Sequence, residues 1–295
     1  MTVPKVSRNN ELLHQKKLEW EFLHHAMEHG YTLVDFEIVE RAPWRNLSPD
    51  QLHALTADYT WTSGDDLFSL RSDWTHTLVQ YRSKYELEAE QLAYSGPVFA
   101  QRIPKYQFGL EIFSGEVGRQ QQLLRDAAAF VSAKAGAPIN IAVLSHNKLL
   151  KHMVGEDELD MPAIRRLIGS RNRDGLAARL GKDHPLIAIM AEAPHDQIKV
   201  IKERMPEVRD YVTELEAWIT ELKGLGIPHV YADVLALPAQ SYYRGIFLKT
   251  YYSEELQPIL SGGQYTASDK AFGVAIDADA LQALSRDRLA EGGCS

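Results

Sequence analysis

"VFAQRIPKYQFGLEIF", Val98 to Phe113, is the stretch on which the fold turns. In its second half Phe108, Leu110 and Ile112 alternate with Gln107, Gly109 and Glu111. That two-residue period predicts a strand with one buried face. Gln107 and Glu111 then lie roughly 13 Å apart along the polar face. Between them Gly109 has no side chain, so a small ligand has room to lie flat on the sheet. A carboxylate at one end suits an ammonium group, and an amide at the other suits a polar partner. The plainer alternative is a strand whose polar side simply meets solvent. The first half, "VFAQRIP", carries Arg102 as its one charged residue.

Outward from this strand, the pattern segregates helices from strands. "NNELLHQKKLEWEFLHHAMEHGY" predicts an opening helix capped by Asn10 and ended by Gly30, with Leu13, Trp20, Leu23 and Met27 near one face. "YTLVDFEIVE" and "DDLFSLRSD" predict strands, with a turn at Ser63-Gly64, and "WTHTLVQYRSKYE" a helix. "RQQQLLRDAAAFVSAKAG" predicts a helix with Leu123, Leu124, Ala127, Ala128 and Val131 on one side and Gly136 past its end. "INIAVLS" predicts a short apolar strand. Residues 150 to 223 are helical in character. Strand signals return in "HVYADVLAL", "YYRGIFLKTYY" and "FGVAIDADAL". This order predicts an α+β fold, an antiparallel sheet flanked by helices. The simplest organisation is a single domain over residues 1–295 with a helical insertion at about 150–223.

Bulk properties narrow the functions. The 295 residues are 45% hydrophobic, enough for a sizeable core. A net charge of −8 argues against nucleic-acid binding, which needs a dense basic field. There is no polybasic run to draw the chain to a membrane surface. Cys294 is the sole cysteine and can build neither a disulfide framework nor a cysteine metal site. The start lacks a signal-like apolar segment, and no apolar run reaches the ~18 residues of a membrane span. The expectation is a soluble, cytoplasmic protein.

Three local motifs carry candidate chemistry. "HAMEH", His25 to His29, matches a zinc-peptidase pattern with Glu28 as base, yet no third ligand follows. Histidines at a helix C-terminus interact favourably with its dipole, the simpler explanation, so no metal is expected. Ser145 and His146 are adjacent on a strand and point to opposite faces, so they cannot act as nucleophile and base. "SGGQY", Ser261 to Tyr265, reads as a turn at a glycine pair.

Four segments in order resemble the catalytic core of the histidyl-tRNA synthetase family, a class II core. They are "LFSLRSDWTHTLVQYR", "GPVFAQRIPKYQFGLEIFSG", "SYYRGIFLKTY" and "SGGQYTASDKAFGVAID". They are more similar still to a paralogous family, the regulatory subunits of ATP phosphoribosyltransferase. "GYTLVDFEIVE" fits the first class II motif, with Glu37 at its proline position. The departures fall on charged positions of the family's motifs. Ala100 and Arg102 occupy the second motif's arginine and acidic positions, Ala280 the third motif's arginine, Gln264 the arginine of Gly-Gly-Arg-Tyr, and Pro238 the arginine of the histidine-specific stretch. Adenylation needs fixed cations around a pentavalent phosphate, so Ala100 and Ala280 in place of arginines argue against synthetase chemistry and leave no catalytic residue, while Pro238 removes the arginine expected to meet an amino-acid carboxylate.

The resemblance implies a histidine-like pocket lined by Asp73, Thr75, Gln107, Glu111, Tyr243 and Tyr265. Asp73 and Glu111 would take an α-ammonium and Tyr243 would meet an imidazole. It implies no cofactor and no anticodon-binding domain. It implies a non-catalytic subunit that joins and activates a short-form ATP phosphoribosyltransferase catalytic subunit in the first step of histidine biosynthesis. That family's regulatory chains dimerise within a hetero-octamer and contribute to histidine feedback. The alternatives are a free-standing histidine sensor and a divergent amino-acid-adenylating enzyme.

Overall fold

The structure is a computed structural model that describes residues 5–43, 59–85, 87–99, 103–193, 195–240, 242–253, 255–267 and 270–291. Ala100, Arg102 and Cys294 lie outside the described residues. The chain divides into two compact units, residues 1–137 with 267–295, and residues 138–266.

The first unit begins with α1 (Lys5–Glu28) and β1 (Thr32–Leu33). β2 (Val39–Pro43), β3 (Thr60–Ser63) and β4 (Asp66–Leu70) form a small antiparallel sheet in the order β2-β4-β3. After α2 (Trp74–Tyr85) come β5 (Gln91–Val98), β6 (Lys105–Ile112) and α3 (Val117–Ala135). The unit is completed by β11 (Lys270–Asp277) and α11 (Ala278–Glu291). Its main sheet runs β1-β5-β6-β11, parallel at β1/β5 and antiparallel elsewhere.

The alternation read in β6 holds. Phe108, Leu110 and Ile112 are fully buried and sit beside Ile276, Val274 and Phe272 of β11. Helices α1 and α3 cover this face: Phe22 stacks on Phe108 at 4.8 Å and meets Phe130 edge-on at 5.3 Å. Each such aromatic contributes about 1.5–3 kcal/mol by burial. Gly136 ends α3 in the left-handed conformation, as its position predicts.

Two expectations fail in this unit. Helix α1 already runs from Lys5, so Asn10 lies inside it and caps nothing. Its buried face is Leu18, Phe22 and Ala26, whereas Leu13, Trp20 and Met27 are exposed. The helix carries two apolar stripes, and spacing alone does not choose between them. "YTLVDFEIVE" is likewise not one strand. Val34 N–H still donates to the Ala93 carbonyl, but Phe36 then turns inward against Tyr81 at 4.4 Å, and β2 starts only at Val39.

The second unit contains β7 (Ile141–His146), then α4 (Asn147–Val154), α5 (Glu156–Asp160), α6 (Pro162–Gly169), α7 (Arg173–Leu180), α8 (Pro185–Ala191), α9 (Gln197–Arg204) and α10 (Arg209–Gly224). Pro162 and Pro185 start their helices at the first turn, where a missing N–H costs nothing. β8 (His229–Ala232), β9 (Tyr243–Tyr251) and β10 (Leu260–Thr266) follow. The sheet order is β10-β9-β7-β8, antiparallel except for β7/β8. Helix α10 packs on β7 and β8 and buries Val212, Leu215, Trp218 and Leu222.

Two further corrections belong here. "SGGQY" is not a turn but the body of β10, where an added Cβ at Gly263 would come within 2.8 Å of the Ile246 carbonyl. Close strand approach, not a bend, demands that glycine. "HVYADVLAL" is a strand only to Ala232, because the Asp233 carboxylate accepts from Leu235 N–H at 3.2 Å and turns the chain.

Candidate functional site

In the first unit, the polar face of the sheet is built from three strands. Gly109 faces Tyr94 of β5 and Ala275 of β11, while Glu111 faces Leu92 and Gly273. Gln107, half-buried, lies between Gly96 and Asp277. Small residues thus leave a shallow floor, as the sequence suggests, but that floor is covered. An added Cβ on Gly109 would lie 2.0 Å from the Tyr94 ring. Tyr94 stacks on Trp74 at 4.5 Å, and the Arg71 guanidinium lies 3.3 Å over the Trp74 ring. The space assigned to a flat ligand over Gly109 therefore holds a protein side chain.

Arg71 is almost wholly buried. It donates to the carbonyls of Phe36 at 3.1 Å and Pro97 at 3.2 Å. Burial pushes its pKa down to about 10, opposed by the charges of Asp35 and Glu40, so it stays a cation at neutral pH. Neither Arg71 nor Tyr94 was singled out from the sequence. Tyr94 is recognisable only once β5 and β6 are placed in register.

Glu111 is 1% exposed. Its Oε1 accepts from the Thr75 hydroxyl at 2.7 Å and the Tyr94 hydroxyl at 3.2 Å. Its Oε2 occupies the space that a Cβ on Gly273 would need, 1.9 Å away. Asp73 caps α2, its Oδ1 accepting from His76 N–H at 3.0 Å. Thus Thr75 and Glu111 are in direct contact, Asp73 stands at the start of the same helix as Thr75, and Gln107 is four residues along β6.

The other two predicted residues belong to the second unit. Tyr243 and Tyr265 are register partners on β9 and β10. Tyr243 stacks on Phe247 at 6.0 Å, and Tyr242 meets both tyrosines edge-on, at 5.1 and 5.9 Å. Beside them is Gln264, at the position of the resemblance's missing arginine. Its Oε1 accepts from Ile246 N–H at 2.8 Å, and its Nε2 donates to Glu214 at 2.9 Å. The β9/β10 register slips between Gly263 and Tyr265, so the Gln264 amide serves the backbone at this irregularity.

Glu214 also accepts from His146. His146 Nδ1 takes the Leu149 N–H at 3.3 Å, which leaves Nε2 as the donor to Glu214 at 3.2 Å. The His146 hydrogen bond holds the Glu214 carboxyl below the usual range against the effect of burial, with Gln264 adding to it. His146 is therefore a buried cap of α4, and Ser145 beside it is buried too. In "HAMEH", His25 Nε2 bonds the Asp126 carbonyl at 3.0 Å and His29 Nδ1 the His25 carbonyl at 2.8 Å. Among the described residues no group of three or more His, Cys, Asp or Glu is placed to hold a metal.

A mainly antiparallel sheet with helices on one face and a polar floor on the other defines an α+β core of the class II synthetase type. A family model described as histidyl-tRNA synthetase matches residues 8–281. The chain belongs to the histidyl-tRNA synthetase family. It is 29% identical over 271 residues to a Staphylococcus aureus (strain Newman) protein named ATP phosphoribosyltransferase regulatory subunit, covering 92% of this chain and 99% of that one. Among solved structures, it is similar to an ATP phosphoribosyltransferase regulatory subunit/histidyl-tRNA synthetase from Bacillus halodurans. That match has a TM-score of 0.72 and 16% identity, covering 96% of this chain and 81% of that one. A chain of the ATP phosphoribosyl transferase complex from Thermotoga maritima matches with a TM-score of 0.67 and 19% identity, covering 90% of this chain and 97% of that one.

Proposed function

We propose that this chain is a non-catalytic regulatory subunit of ATP phosphoribosyltransferase, which joins and activates a short-form catalytic subunit in histidine biosynthesis. The observation that carries this reading is Gln264. Where the resembling family's Gly-Gly-Arg-Tyr has its arginine, this neutral amide is engaged by Ile246 N–H and Glu214. Ala280, at a second arginine position, offers only a methyl group, and its N–H donates to Asp277 at 3.0 Å. Without the third motif's arginine the pentavalent phosphate of adenylation loses a fixed cation. The name of the Staphylococcus aureus relative supports the partner. Action in the cytoplasm, and a dimer of this chain within a hetero-octamer, are parts of the same proposal.

Histidine is the proposed regulatory ligand; its proposed contacts are Asp73, Thr75, Gln107 and Glu111 within the first unit, and Tyr243 and Tyr265 are the second unit's candidates. With Tyr94 over Gly109, the ligand's ammonium would exchange for the Thr75 and Tyr94 hydroxyls on Glu111. Coupling of histidine to catalytic-subunit binding is expected at about 1–3 kcal/mol, typical of allosteric pairs.

Co-expression with a short ATP phosphoribosyltransferase tests the main reading. The two chains are expected to co-purify, and this chain to raise the enzyme's turnover. A chain that leaves that turnover unchanged refutes it. Amino-acid-dependent pyrophosphate exchange by this chain alone would establish the adenylating alternative instead.

A further inference from the structure

The second unit carries an open cleft of about 570 Å3 that the regulatory reading does not use. Lys148, Lys151, His152 and Arg244 line it, with Glu156 and Tyr211. Three permanent cations thus meet one carboxylate in a chain whose net charge is −8. Lys148, Lys151 and His152 fall on one face of α4, spaced three and four residues apart. Like charges so placed repel, and the arrangement persists because a buried frame fixes it. Asn147, itself buried and lining the cleft, donates from Nδ2 to the Tyr243 carbonyl at 2.6 Å, next to Arg244. His146 caps the same helix from within the core. These two contacts pin α4 and β9, and with them the cations on both.

Glu156 offsets only part of this charge, through Lys151 at 2.6 Å. The Lys151 hydrogen bond and charge hold the Glu156 carboxyl below its usual range, and the Arg244 charge contributes from the other wall. The positive field therefore spans the cleft. Its volume falls in the range of small-molecule sites. Lysines and arginine serve phosphate oxyanions as point charges and forked donors. The Tyr211 ring supplies a flat wall beside them.

We propose that this cleft binds a small phosphorylated metabolite, its phosphate between Lys148, Lys151 and Arg244 and its organic part against Tyr211. The inference does not depend on the regulatory reading, since it concerns the isolated chain.

Titration calorimetry of the full chain with inorganic pyrophosphate at low ionic strength is the test. Saturable binding at one site is expected, weakening as salt is raised. The Lys148→Ala/Arg244→Ala double variant should weaken it about tenfold or more, the size of losing two charge-assisted contacts. Both side chains are exposed, so the variant should keep its fold, which circular dichroism checks. Lys249→Ala, an exposed lysine on β9 outside the cleft, should bind as the parent does. No saturable binding overturns the proposal. Equal binding by the double variant and the Lys249 control also overturns it, showing an adventitious ion only.

Discussion

Glu111 in the first unit and Gln264 in the second solve the same packing problem in opposite ways. Each is a polar side chain on a sheet, and each fills the space beside a glycine of the neighbouring strand. An added Cβ at Gly273 would reach Glu111, and one at Gly245 would reach Gln264, both at 1.9 Å. Their partners differ. Glu111 is held by two hydroxyls, from Thr75 and Tyr94, which can rotate to other acceptors. Gln264 is held by a backbone N–H that has no freedom to leave. A polar residue served by hydroxyls can still exchange them for a ligand. One that completes a β-ladder has become structural. The resemblance marks both positions as ancestral site residues, and the proposed pocket uses only the first.

The sharpest way to break this comparison is to crowd the two floors. Gly109→Val forces a branched side chain into the buried, stacked Tyr94 ring, at an expected cost of about 3 kcal/mol, the upper range for overpacking. Gly245→Ala displaces the Gln264 amide, 1.9 Å from the added Cβ, and should cost less, about the 1 kcal/mol of its hydrogen bond to Ile246 N–H. Urea unfolding of both variants measures the difference, and equal losses would mean that Tyr94 gives way freely.

Glu111→Ala removes the buried carboxylate that accepts from the Thr75 and Tyr94 hydroxyls, at an expected cost of about 2 kcal/mol, and should abolish histidine binding in calorimetry. Glu111→Gln keeps an acceptor for Thr75 and should retain most of the stability while losing the ammonium contact. Parental histidine affinity in both variants would refute the proposed pocket. Gln264→Ala orphans Ile246 N–H, with an expected loss of about 1 kcal/mol and no change in histidine titrations.

The smallest expected effect concerns acid. Glu214 has a folded-state pKa below its ordinary value of 4.5, chiefly through the His146 hydrogen bond. A depressed carboxylate contributes stability that is present above the ordinary value and lost as pH falls through the folded value. Partial exposure of Glu214 screens the interaction and keeps it small. Thermal melts from pH 6 to 3 should therefore show a shallower decline for Glu214→Gln than for the parent; parallel curves would remove Glu214 from the network.

Much of this was legible in the sequence. A period of two over Phe108, Leu110 and Ile112 specifies which face of β6 is buried, because a strand's side chains alternate by geometry. The α+β class follows from segregated periodicities, and the loss of arginines at Gln264 and Ala280 is what the family resemblance implies. What the sequence left open depends on partners distant along the chain. Leu18, Phe22 and Ala26 rather than Leu13, Trp20 and Met27 face the core, because only docking against Phe108 and Phe130 selects between two apolar stripes. "SGGQY" is a strand, because pairing with β9 outweighs the turn preference of glycine. Tyr94 covers Gly109 only because β5 and β6 pair in one register. Arg244 joins Lys148 and Lys151 across about a hundred residues because Asn147 bonds the backbone at Tyr243. Local periodicity is a property of the chain itself, whereas face selection, register and site occupancy arise when separate segments compete for the same buried volume.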